Sequence, residues 1–366
     1  MSDVDAARKR LQKISDKFAP EDIYNLDETG LFYRMPPDRS LATKQMSGEK
    51  KNKTRLTLVF IVNSTGSHLV KAIFIGHAKG PRCFNKKSGE AHGFEYYWNK
   101  KAWMTGSIFP LYVILLTNFL LWFTDIIPRV LEKLNSEMRS QRRKILLYID
   151  NAPSHIFDQT KLTNICVEFL NPNMTSHIQP LDAGIIRAFK AHYRRLYILR
   201  ALLRDEANLV DMYAIDQLEG MHLAEEAWSY VSETTVRNCW KHTGILPEDT
   251  TTTISSTTTT EDTAVQELQE ALNQLSLSGS IASKNLPNVE ELLHVDGEEV
   301  TEQEWSDHEI VDQAVSEEQV ERGEECDESD GEDEVSPLPS NAAAYQAVHD
   351  LLRVCEHHSE PEYQQA

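Results

Sequence analysis

The spacing of apolar and polar positions divides the chain into segments of different kind. IYNLDETGLFYR and TRLTLVFIVNSTGSHLVKAIFIG are rich in strand-forming residues, and the polar stretch 63–66 between two β-rich runs predicts a hairpin turn. KILLYIDNAPSH, residues 144–155, is different: five continuous apolar or aromatic residues end abruptly on Asp150, and turn residues follow. That is the signature of a strand buried on both faces, as in a parallel sheet. ICVEFLNPN repeats the pattern and stops at Pro172. IPRVLEKLNSEMRSQ has helical spacing, and so do Ile185, Ile186, Phe189, Tyr193 and Leu196 after Asp182. Near the amino end, Leu11, Ile14 and Phe18 share one face of a short amphipathic helix. Hairpin strands, helix, strand, strand and helix in that order predict an α/β fold, a mixed sheet flanked by helices.

Residues 109–127, FPLYVILLTNFLLWFTDII, could be mistaken for a membrane span. The run is only marginally long for a hydrocarbon core of ~30 Å, and Pro110, Thr117, Asn118, Thr124 and Asp125 break it. A buried helix or an insertion against the core is the better reading, with no membrane partner. The charged start MSDVDAARKRLQKISDKF is not expected to act as a signal peptide. Beyond Pro247 the pattern dissolves into TTTTISSTTTTEDT and then a carboxylate-crowded stretch over 290–334. Such composition cannot bury enough apolar surface, so 248–366 is predicted to be a largely disordered, acidic, low-complexity tail. Two short helical patterns interrupt it, Val265, Leu268, Leu272 and Leu275, then Tyr345, Val348, Leu351 and Leu352. They are read as transient helices in preference to docking segments.

Charge sharpens this division. The net charge of −20 conceals a basic first half: residues 1–204 hold 32 Lys and Arg against 18 Asp and Glu, whereas 249–366 hold 3 against 30. A basic globular unit is the footprint of a polyanion partner, and the tail invites a basic protein partner. The five cysteines are dispersed, odd in number and without a CxxC pair, which argues for free thiols and against a disulfide framework or structural zinc.

Three aspartates stand out. Asp27 shares a strand face with Ile23 and Asn25, Asp150 closes the buried strand, and Asp182 stands where PLD turns into a helix. Carboxylates brought to one sheet edge would form an oxygen cage for Mg²⁺, and paired ions can clamp both oxygens of an in-line displacement at phosphorus. Taken one at a time, each aspartate reads equally well as a turn or cap residue. Glu28 should point to the opposite strand face.

The stretches NLDETGLFY, WMTGSIF, LLYIDNAPSH, SHIQPLDAGIIRAFKAHYRRLY and CWKHTGILP resemble, in this order, the transposase domain of the DDE superfamily endonucleases. The branch is that of pogo and Tigger elements, with the related centromere protein B and jerky proteins, and the resemblance covers about residues 21–247. It implies an RNase H-like fold and a catalytic, metal-binding triad at Asp27, Asp150 and Asp182, with Mg²⁺ or Mn²⁺ as cofactor, DNA as partner and the nucleus as location. The 31 residues between Asp150 and Asp182 agree with pogo-like spacing. Asn151 and His155 are close enough to Asp150 to orient water, a metal ligand or DNA, although a turn and a packed histidine explain them as well. Gln179 and Pro180 shape the approach to Asp182. Arg187, Lys190, Arg194 and Arg195 follow on the next helix as candidate DNA-backbone contacts, with a solvated helical face as the default.

Two departures qualify the expectation. Related transposases carry paired helix-turn-helix modules ahead of this domain, and here only residues 1–20, a short helix or linker, precede the first motif. Residues 110–120 interrupt the family pattern as an insertion or gene-model error. The expected activity is divalent-metal-dependent cleavage of a DNA phosphodiester, with strand transfer to follow if ends are held. The alternative is a domesticated, non-catalytic DNA-binding or chromatin protein that keeps the fold, and either could act as a homodimer.

Overall fold

The computed structural model describes residues 3–37, 53–98, 102, 126–151, 157–171, 174–209, 211–247, 260–279 and 285–298. His155, the insertion at 110–120 and the second tail pattern, 345–352, lie outside them. Chain contacts define one unit over residues 1–314, and a second over 315–366 that lies wholly outside the described residues.

Helix α1 (Asp3–Ser15) comes first, followed by strands β1 (Ile23–Phe32), β2 (Arg55–Asn63), β3 (Ile73–Gly76) and β4 (Glu95–Trp98). Then come α2 (Ile126–Ser140), β5 (Ile145–Ile149), β6 (Ile165–Phe169), the single turn α3 (Thr175–Ile178) and the long helix α4 (Ile186–Glu206). Helices α5 (Gln217–Ser229), α6 (Glu233–Thr243), α7 (Thr260–Leu277) and α8 (Val289–Leu293) complete the order.

The six strands form one mixed sheet in the order β4-β3-β2-β1-β5-β6. β1 and β3 run antiparallel to β2, while β1 and β6 run parallel to β5. This is the RNase H-like arrangement, with β4 added in parallel beyond β3. The expected turn is present: Gly66 N–H donates to the Asn63 carbonyl at 3.1 Å, with Gly66 at φ 73°. All five residues of β5 are buried, because β1 and β6 flank the strand and helices cover both faces.

Strand alternation sorts the core into two layers. Ile23, Leu31, Leu56, Leu58, Phe60, Leu146 and Tyr148 face α1, α4, α5 and α6. There Trp228 stacks on Phe60 at 4.1 Å between ring centres. Tyr24, Leu26, Val59, Ile61, Leu147 and Ile149 face the other way, onto Val130, Leu131 and Leu134 of α2. The amino-terminal helix is part of the first layer: Leu11 is buried, and the Tyr148 hydroxyl meets Ser15 Oγ at 2.7 Å.

The carboxyl-terminal segment departs from the expectation of transient helices. Ala264, Leu268, Ala271, Leu272 and Leu275 of α7, with Val289, Leu292 and Leu293 of α8, form a third apolar cluster with Ala191 and Ile198 of α4. The spacing of these residues supplies one apolar stripe, and α4 offers a complementary stripe on the side away from the sheet. Composition alone hid this because the segment's polar residues occupy the opposite helix face. No described helix is long and apolar enough to cross a membrane.

Candidate active site

The three aspartates converge on one region through neighbouring elements. In the parallel register of β1 and β5, Asn25 pairs with Tyr148; Asp27 follows two residues later in β1, and Asp150 two residues later, just past the end of β5. Asn25, Asp27, Tyr148 and Asp150 share strand parity and point to the layer occupied by α4. Asp182 arrives from that side, within the wide turn Leu181–Ile185 that leads into α4. Gly184 in this turn adopts φ 143°, which an L side chain rarely accepts, and the kink separates Asp182 from the regular helix.

Asn25 ties these elements together. It is fully buried; its Nδ2 donates to the Tyr148 carbonyl at 3.1 Å, and its Oδ1 accepts from Leu181 N–H at 3.0 Å. Each bond falls one or two residues before an aspartate. The i, i+2 spacing from Asp27 is the sequence signal that could have singled out Asn25, but its partners are visible only in the fold.

Asp27 is 7% exposed, Asp150 half-buried and Asp182 exposed. Asp27 Oδ1 accepts from Glu28 N–H at 2.9 Å, whereas its buried Oδ2 has no hydrogen-bond partner. Burial first, then the nearby charges of Asp182, Glu28 and Asp150, push the Asp27 carboxyl well above the usual carboxylate range. Ionised Asp27 therefore needs a cation. The hard oxygen donors here suit Mg²⁺ or Mn²⁺. Among the described residues, no group of three or more His, Cys, Asp or Glu side chains is arranged to hold a metal ion. Asp182 and Asp150 both act on Asp27 electrostatically, Asp182 the more strongly.

Glu28 is 8% exposed and is a source of negative charge for Asp27 despite its opposite parity. Asn151 is exposed beside Asp150, and Gln179 is buried before the turn. Of the four cations after Asp182, two are buried and two partly exposed, and all four meet carboxylates. Lys190 and Arg194 are each 2% exposed and pair with Glu298, Arg187 pairs with Glu290, and Arg195 pairs with Glu267. Sequence reading gave no hint of Glu298 or of Arg55, which lies beside it.

The mixed six-stranded sheet with helices on both faces is an RNase H-like fold of the DDE transposase type. The chain belongs to the DDE superfamily endonucleases, whose family model matches residues 53–240. Within it, the domain is of the pogo and Tigger type. The match begins after β1, so Asp27 lies ahead of it. CENP-B homolog protein 2 of Schizosaccharomyces pombe is 26% identical over 358 residues, covering 95% of this chain and 63% of that protein. Tigger transposable element-derived protein 4 of Mus musculus is 27% identical over 230 residues, covering 62% of this chain and 40% of its own length. The chain thus spans less than two-thirds of either relative. Among solved structures, a chain of the Mos1 strand transfer complex is similar at 12% identity and a TM-score of 0.34, over 66% of this chain and 57% of that one.

Proposed function

We propose that this domain cleaves DNA phosphodiester bonds in a divalent-metal-dependent reaction, with Asp27, Asp150 and Asp182 as the metal-holding carboxylates. The observation that carries this reading is the orphaned, buried Oδ2 of Asp27, whose carboxyl feels the charges of Asp182 and Asp150. A bound Mg²⁺ or Mn²⁺ would supply Lewis acidity at the phosphate and a more acidic water. The protein's own residues do the rest. Asp27 contributes a carboxylate whose charge is too costly to leave uncompensated in a buried site. Asn25 holds β1, β5 and the turn before α4 in one geometry, and exposed Asp182 and Asn151 border the approach for substrate. Water adds to phosphorus, the ester bond breaks, and the departing sugar oxygen takes a proton. A free 3′ hydroxyl held in the same site could attack a second strand in the same way. With DNA as substrate, the nucleus is the proposed location.

The test is nicking of supercoiled DNA in Mg²⁺ or Mn²⁺. Asp150→Asn keeps the side-chain shape, removes its charge, and should lower the rate by at least ~100-fold. Cutting that survives in this variant would assign the activity to another site. A second reading, a DNA-binding protein that keeps the fold without cleaving, is favoured by the likeness to CENP-B homolog protein 2 over 95% of this chain. It predicts DNA binding without metal-dependent nicking in the unaltered chain.

A further inference from the structure

The cations that follow Asp182 are held by carboxylates of residues 260–298, and the deepest pair converges on one of them. Arg194 Nη2 lies 2.5 Å from Glu298 Oε1, and Lys190 Nζ lies 3.3 Å from Oε2. Phe32 N–H donates to Oε1 at 2.7 Å, and Arg55 Nη1 donates to the Gly297 carbonyl at 3.3 Å. Glu298 is fully buried, and so close to β1 that a Cβ on Gly30 would stand 2.0 Å from its carbonyl oxygen. Only glycine allows that approach.

The socket is imperfectly matched to its occupant: charges are unequal, and Glu298 Oε2 is buried with no hydrogen-bond partner. Lys190, Arg194 and Arg55 bring three positive charges and Phe32 one amide, whereas the occupant brings one negative charge. Arg55 Nη2 is buried without a hydrogen-bond partner. Burial pulls the Arg55 guanidinium down to about 10 against the opposing pull of Glu298. Excess positive charge in a low-dielectric socket favours a more oxygen-rich anion with further charges along its length. The cover over it is slight: α8 has five residues, of which Val289, Leu292 and Leu293 are buried, while Glu290 is exposed.

We propose that Arg55, Lys190 and Arg194 form a binding site for a DNA backbone phosphate, and that residues 285–298 are its displaceable cover, with Glu298 standing where the phosphate binds. The proposal rests on DNA being the partner of this domain. DNA must then exchange with Glu298, and apparent affinity falls by the fraction of molecules in which the socket is open.

The experiment measures binding of a short labelled DNA duplex to the full chain in EDTA, where no metal-dependent cleavage can occur. Glu298→Gln keeps the shape and removes the charge. It should bind about tenfold more tightly at low salt, with a log–log salt dependence steeper by about one. In the unaltered chain, adding duplex should speed hydrogen exchange of the α8 amides. That measurement needs no variant and so holds even where Glu298→Gln folds poorly. Unchanged affinity and salt slope in a folded Glu298→Gln protein, or α8 amides that stay protected in the DNA-bound unaltered chain, would overturn the proposal. Neither result bears on cleavage, which the Asp150→Asn assay decides separately.

Discussion

A buried carboxylate without a counter-ion costs stability, and Asp27 is the residue where that cost is concentrated. Its raised titration means that folding is most favoured while it holds a proton. That contribution is complete below the ordinary carboxylate range and is lost as pH rises through the folded-state value. In EDTA, Asp27→Asn should therefore be more stable than the unaltered chain at neutral pH, with the gap closing as pH falls into the ordinary carboxylate range. Thermal melts across pH would show it. Mg²⁺ should raise the melting temperature of the unaltered chain and leave Asp27→Asn unmoved. A variant less stable than its parent at neutral pH would mean that Asp27 is satisfied by its surroundings. Lys190 and Arg194 differ in that both buried charges share one counter-ion, Glu298.

Among elements, the connection that matters most joins β1, β5 and the turn before α4, and it runs through one amide side chain. Asn25→Ala would leave the Leu181 N–H and Tyr148 carbonyl without their bonds in a dry interior. It should cost about 2–3 kcal/mol in denaturant unfolding and depress any nicking more than that loss of stability explains. Equal stability of variant and parent would show that water replaces the amide. The contact of α4 with α7 is of another kind, apolar and extended. Leu268 is fully buried in it, so Leu268→Ala should cost about 2–4 kcal/mol if α7 unfolds together with the sheet domain. An unchanged unfolding midpoint, with only α7 amides exchanging faster, would make the helix a separate folding unit.

For the molecule as a whole, the basic first half and the acidic remainder are physically joined, since the acidic segment supplies partners for α4. A chain ended at Pro247 should expose Lys190 and Arg194 together with the apolar Ala191 and Ile198. It should thus bind DNA more tightly at low salt, yet also take up a hydrophobic dye that the full chain excludes. Equal dye uptake by the two would mean that α7 contributes little cover. What the sequence determined by itself was what depends on local pattern. The all-apolar run ending at Asp150 specified a strand buried on both faces, the polar stretch 63–66 specified a turn, and the spacing after Asp182 specified a helix, because period and turn chemistry act within a few residues. The order of the motifs also placed the chain in its family. Tertiary structure alone decided that Asn25 bridges three elements, that Asp182 sits in a kinked turn, and that Glu298 neutralises cations 104 and 108 positions earlier in the chain. Spacing along one helix tells which charges share a face but not what packs on that face. Burial, and with it the sign and size of every electrostatic effect at Asp27, Lys190 and Arg194, is set by segments distant in sequence.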